Sequence, residues 1–166
     1  LDSLLPRGAV GKTLAVKIIN ETCDALSYMH SKQVVHRDLK PSNIMLTYNG
    51  NNVKLIDFGL SDTDAHSVLK GSAGTQVYAS PELISGKTVD FRSDIFSLGC
   101  VIDRLNPTYA RVARKCCQRA PAKRFQSALD VKKAIERKPL APFAVAAVAL
   151  VLLGSALWLT HPWSRP

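Results

Sequence analysis

The segment "VVHRDLKPSNIML", residues 34 to 46, places His36, Arg37, Asp38, Lys40 and Asn43 within eight positions between apolar flanks. A polar cluster bounded by hydrophobic runs reads as a loop that displays side chains. Asp38 and Lys40 are two residues apart, so carboxylate and ammonium would each hold the other in its charged form. Alone, His-Arg-Asp is weak evidence of function. The elements downstream add to it: Asn43 stands five residues after Asp38, Asp57-Phe58-Gly59 follows, and "GTQVYASPE" occupies 74 to 82.

In that order these match the catalytic loop H-R-D-x-x-x-x-N, the D-F-G turn and the end of the activation segment of protein kinases. The chain resembles the eukaryotic-type Ser/Thr protein kinase family over about residues 1 to 136, its large helical lobe, and is similar to compact membrane-tethered bacterial members. The resemblance implies transfer of the ATP γ-phosphate to protein hydroxyls. Such a transfer needs an oriented hydroxyl, neutralised phosphates and metal ions holding both. Asp38 would orient or accept the substrate hydroxyl proton, and Lys40 would reach the transferred group. Asn43 and Asp57 would hold Mg²⁺, a hard cation that prefers oxygen ligands. Met45 would lie under the adenine ring of ATP.

Other positions take architectural roles by the same resemblance. Glu82 would pair with Arg124, and Asp94 would brace the catalytic loop from below. His36 and Phe58 would stack above Asp94, with Gly59 completing the turn. Thr75 would contact Asp38 and Lys40. Together with "DLKPSN", it favours serine/threonine over tyrosine as acceptor. Arg37 would gather a phosphate or acid from the activation loop. Thr63, Ser67 and Ser72 are candidate phosphosites there, although Gly71 stands where many relatives carry the main phosphothreonine.

These groups need elements to position them. Leu14, Ile18, Ile19, Cys23, Leu26 and Met29 recur at helical spacing, so residues 12 to 31 should form a helix ending at Ser31-Lys32-Gln33. "NIMLTYNGNNVKLIDFG" reads as two short strands around Asn49-Gly50-Asn51-Asn52. Residues 60 to 80 carry no period and suggest an exposed loop. "SDIFSLGCVIDRL" reads as a buried helix with Ser93 as N-cap, broken by Asn106-Pro107. "TYARVARKCCQ" and "ALDVKKAIER" suggest two more helices. The fold class is thus mainly α with a short β-hairpin. "GAVGKT" (8 to 13) lacks the spacing of a phosphate-binding loop and reads as the lead into the first helix.

The 166 residues carry a formal net charge of +9. Many basic residues fall between Arg104 and Lys138, without the interleaved aromatics and glycines of RNA-binding loops, so no nucleic-acid partner is expected. Cys23, Cys100, Cys116 and Cys117 show no metal-ligand spacing and read as buried reduced thiols. No N-terminal signal peptide is visible.

"LAPFAVAAVALVLLGSALWLT" runs from Leu140 to Thr160 without a charge. At about 1.5 Å per residue, roughly 20 helical residues span about 30 Å, one hydrocarbon core. Lys132, Lys133, Arg137 and Lys138 precede the stretch, while Trp158 and Trp163 sit near its far end. The positive-inside rule puts the kinase-like part in the cytoplasm of a single-pass membrane protein. The expected organisation is a kinase-like domain over 1–136, a basic and proline-containing linker over 137–142, a transmembrane helix over 143–160 and a tail over 161–166.

Two departures from the family stand out. The sequence holds no glycine-rich loop and no V-A-I-K lysine, the groups that align the ATP phosphates, so the small lobe is not represented and this chain alone should bind ATP poorly. Arg124 stands only 25 positions after Gly99, a stretch shorter than is usual in the family. The alternative to an active kinase is therefore a pseudokinase-like membrane scaffold.

Overall fold

A computed structural model describes residues 1–5, 10–58 and 76–137. Its contacts divide the chain into Leu1–Glu136 and Arg137–Pro166. Among the described residues the first unit is mainly helical with one two-stranded sheet. Among the described residues no helix is long and apolar enough to cross a membrane. The expected span at 143–160 lies outside the described residues, as do Gly59, Thr63, Ser67, Gly71, Ser72 and Thr75.

Helix α1 covers Lys12–Ser31 and buries Ala15, Ile18, Ile19, Thr22, Cys23 and Leu26. Those positions lie on one face of a 3.6-residue helix. Leu14 and Met29, expected in the stripe, are only half-buried at its margin, and the small residues Ala15 and Thr22 take the inner places. Thr22 is tolerated there because its hydroxyl donates to the Ile18 carbonyl at 2.7 Å. The helix stops where Gln33 takes φ 62°.

Strands β1 (Ile44–Leu46) and β2 (Val53–Leu55) pair antiparallel with Ile44 opposite Leu55 and Leu46 opposite Val53. The connecting turn closes through Thr47 N–H to the Asn52 carbonyl at 2.9 Å, with Gly50 at φ 86° and Asn51 at φ 50°. The Val53 N–H donates to Glu21 Oε2 at 2.7 Å, which seats the hairpin on α1.

Helix α2 is a single turn, Pro81–Ile84, capped by the Ser80 side chain. Helix α3 covers Arg92–Leu105 and is buried around most of its girth, through Ile95, Leu98, Gly99, Val101, Ile102 and Leu105 among others. Ser93 is not its N-cap. The cap position is Phe91, which makes no side-chain cap bond; Asp90 just before it accepts the Arg92 N–H on Oδ1 at 2.8 Å, and Ser93 turns its hydroxyl inward against Ser80. Tyr78, Ala79 and Ser80 are buried, so the C-terminal end of the expected exposed loop is part of the core.

After a short turn at Pro107–Tyr109, helix α4 covers Ala110–Cys116, and helix α5 covers Ala128–Glu136. Ser127 caps α5, accepting the Asp130 N–H at 3.1 Å and donating to Asp130 Oδ2 at 2.7 Å. The core runs through α1, α3, α4 and α5, with Leu39 and Ile44 anchoring the polar loop and β1 to it. Two cysteines depart from expectation: Cys23 and Cys116 are buried, but Cys100 and Cys117 are only half-buried, and all four are free thiols.

Candidate active site

The polar loop leaves α1 and enters β1 through a 3₁₀ turn at Pro41–Asn43. Pro41 fixes the first residue of that turn. Leu39 and Ile44 are fully buried on either side, so the backbone between them is held while the polar side chains are displayed.

Three of them converge. Lys40 Nζ lies 2.8 Å from Asp38 Oδ2. Asn43 Nδ2 donates to the Asp38 carbonyl at 2.9 Å and to Asp38 Oδ2 at 3.1 Å. Asn43 is 4% exposed and Asp38 sits in a partly buried position, which strengthens these contacts relative to open water. With its amide nitrogen committed to Asp38, Asn43 keeps Oδ1 as an acceptor, met among the described residues by a 3.4 Å bond from Ser42.

Asp57 lies two residues past the end of β2. The Ile56 N–H donates to the Asn43 carbonyl at 3.1 Å, which ties the start of the D-F segment to the end of the polar loop. Asp57 and Phe58 are exposed, and Met45 is 52% exposed on β1. Arg37 and Asp57 both adopt left-handed backbone, with φ of 67° and 55°. Neither is a glycine, so each conformation costs on the order of 1 kcal/mol and has to be imposed by its surroundings.

At Arg37 the surroundings are visible. Asp94, fully buried in the first turn of α3, accepts the His36 N–H on Oδ2 and the Arg37 N–H on Oδ1, both at 2.9 Å. His30 Nε2 completes the group 2.8 Å from Asp94 Oδ2. One carboxylate thus joins the end of α1, the polar loop and the start of α3. Sequence reasoning missed His30; its place in the last turn of α1, where a basic residue favours the helix dipole, was the available signal. The His36 ring is buried and meets Phe58 edge-on, centroids 6.4 Å apart, and neither ring nitrogen has a hydrogen-bond partner among the described residues.

Glu82 and Arg124 form a two-pronged pair, Nη1 to Oε1 at 2.6 Å and Nη2 to Oε2 at 2.8 Å. The remaining guanidinium donors reach the carbonyls of Gln118, Arg92 and Arg119 at 2.7, 2.8 and 3.1 Å. The Arg124 guanidinium also lies over the Phe96 ring at 5.0 Å. Burial pushes the Glu82 carboxyl up, but the Arg124 hydrogen bonds and charge outweigh it and hold the carboxyl below its ordinary value. This pair fastens α2 to the segment between α4 and α5.

The sequence matches the protein kinase domain family over residues 1–138, and the chain belongs to that family. It is 46% identical over 101 residues to the serine/threonine-protein kinase PknB of Mycolicibacterium smegmatis, a stretch covering 57% of this chain and 16% of that protein. Against PknB of Mycobacterium tuberculosis it is 41% identical over 106 residues, 61% of this chain and 17% of the relative. The chain therefore spans about one-sixth of the length of these curated relatives. The crystal structure of the Mycobacterium tuberculosis PknI kinase domain shares the fold, with a TM-score of 0.60 and 24% identity over 77% of this chain and 56% of that one.

Proposed function

We propose that this chain supplies the catalytic lobe of a serine/threonine protein kinase that moves the γ-phosphate of ATP to a protein hydroxyl. The observation that carries the reading is the cluster in which Lys40 and Asn43 both contact Asp38 Oδ2, at 2.8 and 3.1 Å.

Asp38 is the hydroxyl-orienting group. One of its carboxylate oxygens is held by Lys40 and Asn43, so the carboxylate is aimed before a substrate arrives. Lys40, fixed on Asp38, offers its positive charge to the oxygens of the group being transferred. Asn43 Oδ1 and the Asp57 carboxylate are oxygen donors and suit Mg²⁺, which takes one or two protein ligands and fills its shell with phosphate oxygens and water. When bound, Mg²⁺ neutralises phosphate charge and orients the γ-phosphate. Asp94 acts through the backbone of His36 and Arg37 and is a positioning residue. Glu82 and Arg124 hold the end of the activation segment on the helical core, with Thr75 and Gly59 as the family residues expected to complete the site.

The 166 residues contain no glycine-rich loop or V-A-I-K lysine, so the transfer assay belongs to a polypeptide carrying such a small lobe ahead of Leu1. That protein should phosphorylate serine or threonine of a basic model protein with Mg-ATP. Retained binding without any transfer would instead favour the scaffold reading.

The charge-free stretch from Leu140 to Thr160, preceded by Lys132, Lys133, Arg137 and Lys138, supports a single-pass anchor with the kinase unit on the cytoplasmic face. The chain should stay in the membrane pellet after alkaline carbonate washing. Release into the supernatant would remove the anchor from the account.

A further inference from the structure

Cys100 on α3 and Cys117 just after α4 face each other with their Sγ atoms 3.8 Å apart. The Cys117 thiol also approaches the Phe96 carbonyl at 3.7 Å. Gly99 is what lets the two helices come this close: a Cβ there would lie 2.5 Å from Cys116 Cβ and 2.7 Å from Cys117 Sγ. Both cysteines of the pair are half-buried, whereas Cys23 and Cys116 are buried. A small oxidant can therefore reach the pair more readily than the other two thiols.

We propose that Cys100 and Cys117 form a two-electron modification site, oxidised to an intrachain disulfide by a peroxide. The Cys100 sulfur attacks one oxygen of hydrogen peroxide. The O–O bond breaks, hydroxide leaves and takes up a proton, and Cys100 becomes a sulfenic acid. The Cys117 sulfur then attacks the Cys100 sulfur. The S–O bond breaks, water leaves with the Cys117 proton, and the S–S bond forms. In sum two thiols and one peroxide give one disulfide and two waters, and a dithiol returns the two electrons and two protons. The sulfurs must close from 3.8 Å to about 2.0 Å for the bond to form.

The two thiols share one sulfur–sulfur contact in which either can donate, so the same disulfide results whichever sulfur is oxidised first. The hydrogen bond shared with Cys117 draws the Cys100 thiol below its ordinary value, while the same bond pushes Cys117 up. Burial pushes Cys23 and Cys116 up, which leaves them protonated and slow. The site also has a structural reach. Gln118 and Arg119, directly after Cys117, supply two of the carbonyls that hold Arg124. The disulfide would tie that segment to α3.

The test treats the reduced full 166-residue chain in detergent micelles with hydrogen peroxide, then alkylates, digests and maps it by mass spectrometry. The expected product is one linked peptide joining Cys100 to Cys117, reversed by dithiothreitol, with Cys23 and Cys116 alkylated as in the control. Linking should be at least about tenfold faster than in the urea-denatured chain, because the fold holds the thiols together. Cys116→Ala should still link, while Cys100→Ala and Cys117→Ala should not. Recovery of Cys100 and Cys117 as separate alkylated or over-oxidised residues would overturn the proposal. So would linking at the same rate in urea, or an equal yield of other pairings.

Discussion

Asn43 donates two hydrogen bonds to Asp38, 2.9 Å to its carbonyl and 3.1 Å to its Oδ2. The five-residue spacing thereby becomes a closed ring, and Asn43 Oδ1 takes no part in it. Replacing Asn43 by Ala removes both bonds and the Oδ1 oxygen. Transfer in a protein carrying the small lobe should fall at least about a hundredfold, since loss of one preorganised polar group at a reacting centre typically costs that much. Its Mg²⁺ requirement should rise as well. Urea unfolding should show a loss of about 1–3 kcal/mol for the polar groups left without partners. Full activity at unchanged Mg²⁺ would remove Asn43 from the metal site.

Asp94 satisfies the N–H groups of two consecutive loop residues, one of them at left-handed Arg37. Asp94→Ala leaves the buried His36 N–H without an acceptor and releases the strain at Arg37. Each lost bond to the carboxylate is worth about 1.5–3 kcal/mol, so the chain should lose several kcal/mol in urea unfolding. Asp94→Asn keeps one oxygen acceptor and should recover part of that loss. Equal stability of the two variants would show that hydrogen bonding is not what Asp94 supplies.

Glu82 and Arg124 are mutually committed, so removing one leaves the other buried and uncompensated. Arg124→Met and Glu82→Gln should each cost about 3–5 kcal/mol. The pH dependence follows from the depressed Glu82 carboxyl, whose ordinary value is 4.5. Its contribution is fully present above that value and is lost as pH falls through the lower, folded-state value. In acid titrations followed by circular dichroism, wild type should therefore lose stability more steeply below about pH 4.5 than Glu82→Gln. Parallel curves would contradict the pairing energetics.

Gly99 sits where α3 and α4 touch, and its missing Cβ is occupied by Cys116, Cys117 and the Ala113 carbonyl. Gly99→Ala should destabilise by about 1–3 kcal/mol despite alanine's better helix propensity, because the neighbours include a Cβ and backbone. A stabilised variant in thermal melts would show that the helices can part without cost.

The polar loop was legible because its residues are close in sequence, and the hairpin because its turn residues mark it locally. The first helix was legible from its apolar stripe, although Ala15 and Thr22 were overlooked because small or hydroxylated residues score poorly as core. What stayed hidden depends on elements meeting at a distance. Ser93 resembled a cap, but the helix starts one residue earlier at Arg92, and Ser80 engages the Ser93 hydroxyl. His30 looked like an isolated histidine, and only the approach of α3 to the end of α1 brings Asp94 to it. The 24 residues between Gly99 and Arg124 gave no hint that Cys100 and Cys117 would meet, because that contact is set by the packing of α3 on α4.

The central claim is that Asp38 orients the acceptor hydroxyl. The direct measurement is single-turnover transfer of labelled γ-phosphate from Mg-ATP to a protein serine or threonine, by the small-lobe-bearing protein and its Asp38→Asn variant. The side chain keeps its size and its hydrogen-bonding to Asn43 but loses the charge that accepts a proton. The account predicts a loss of at least about a thousandfold in rate with nucleotide affinity nearly unchanged. A variant that transfers phosphate within a few-fold of wild type would contradict it.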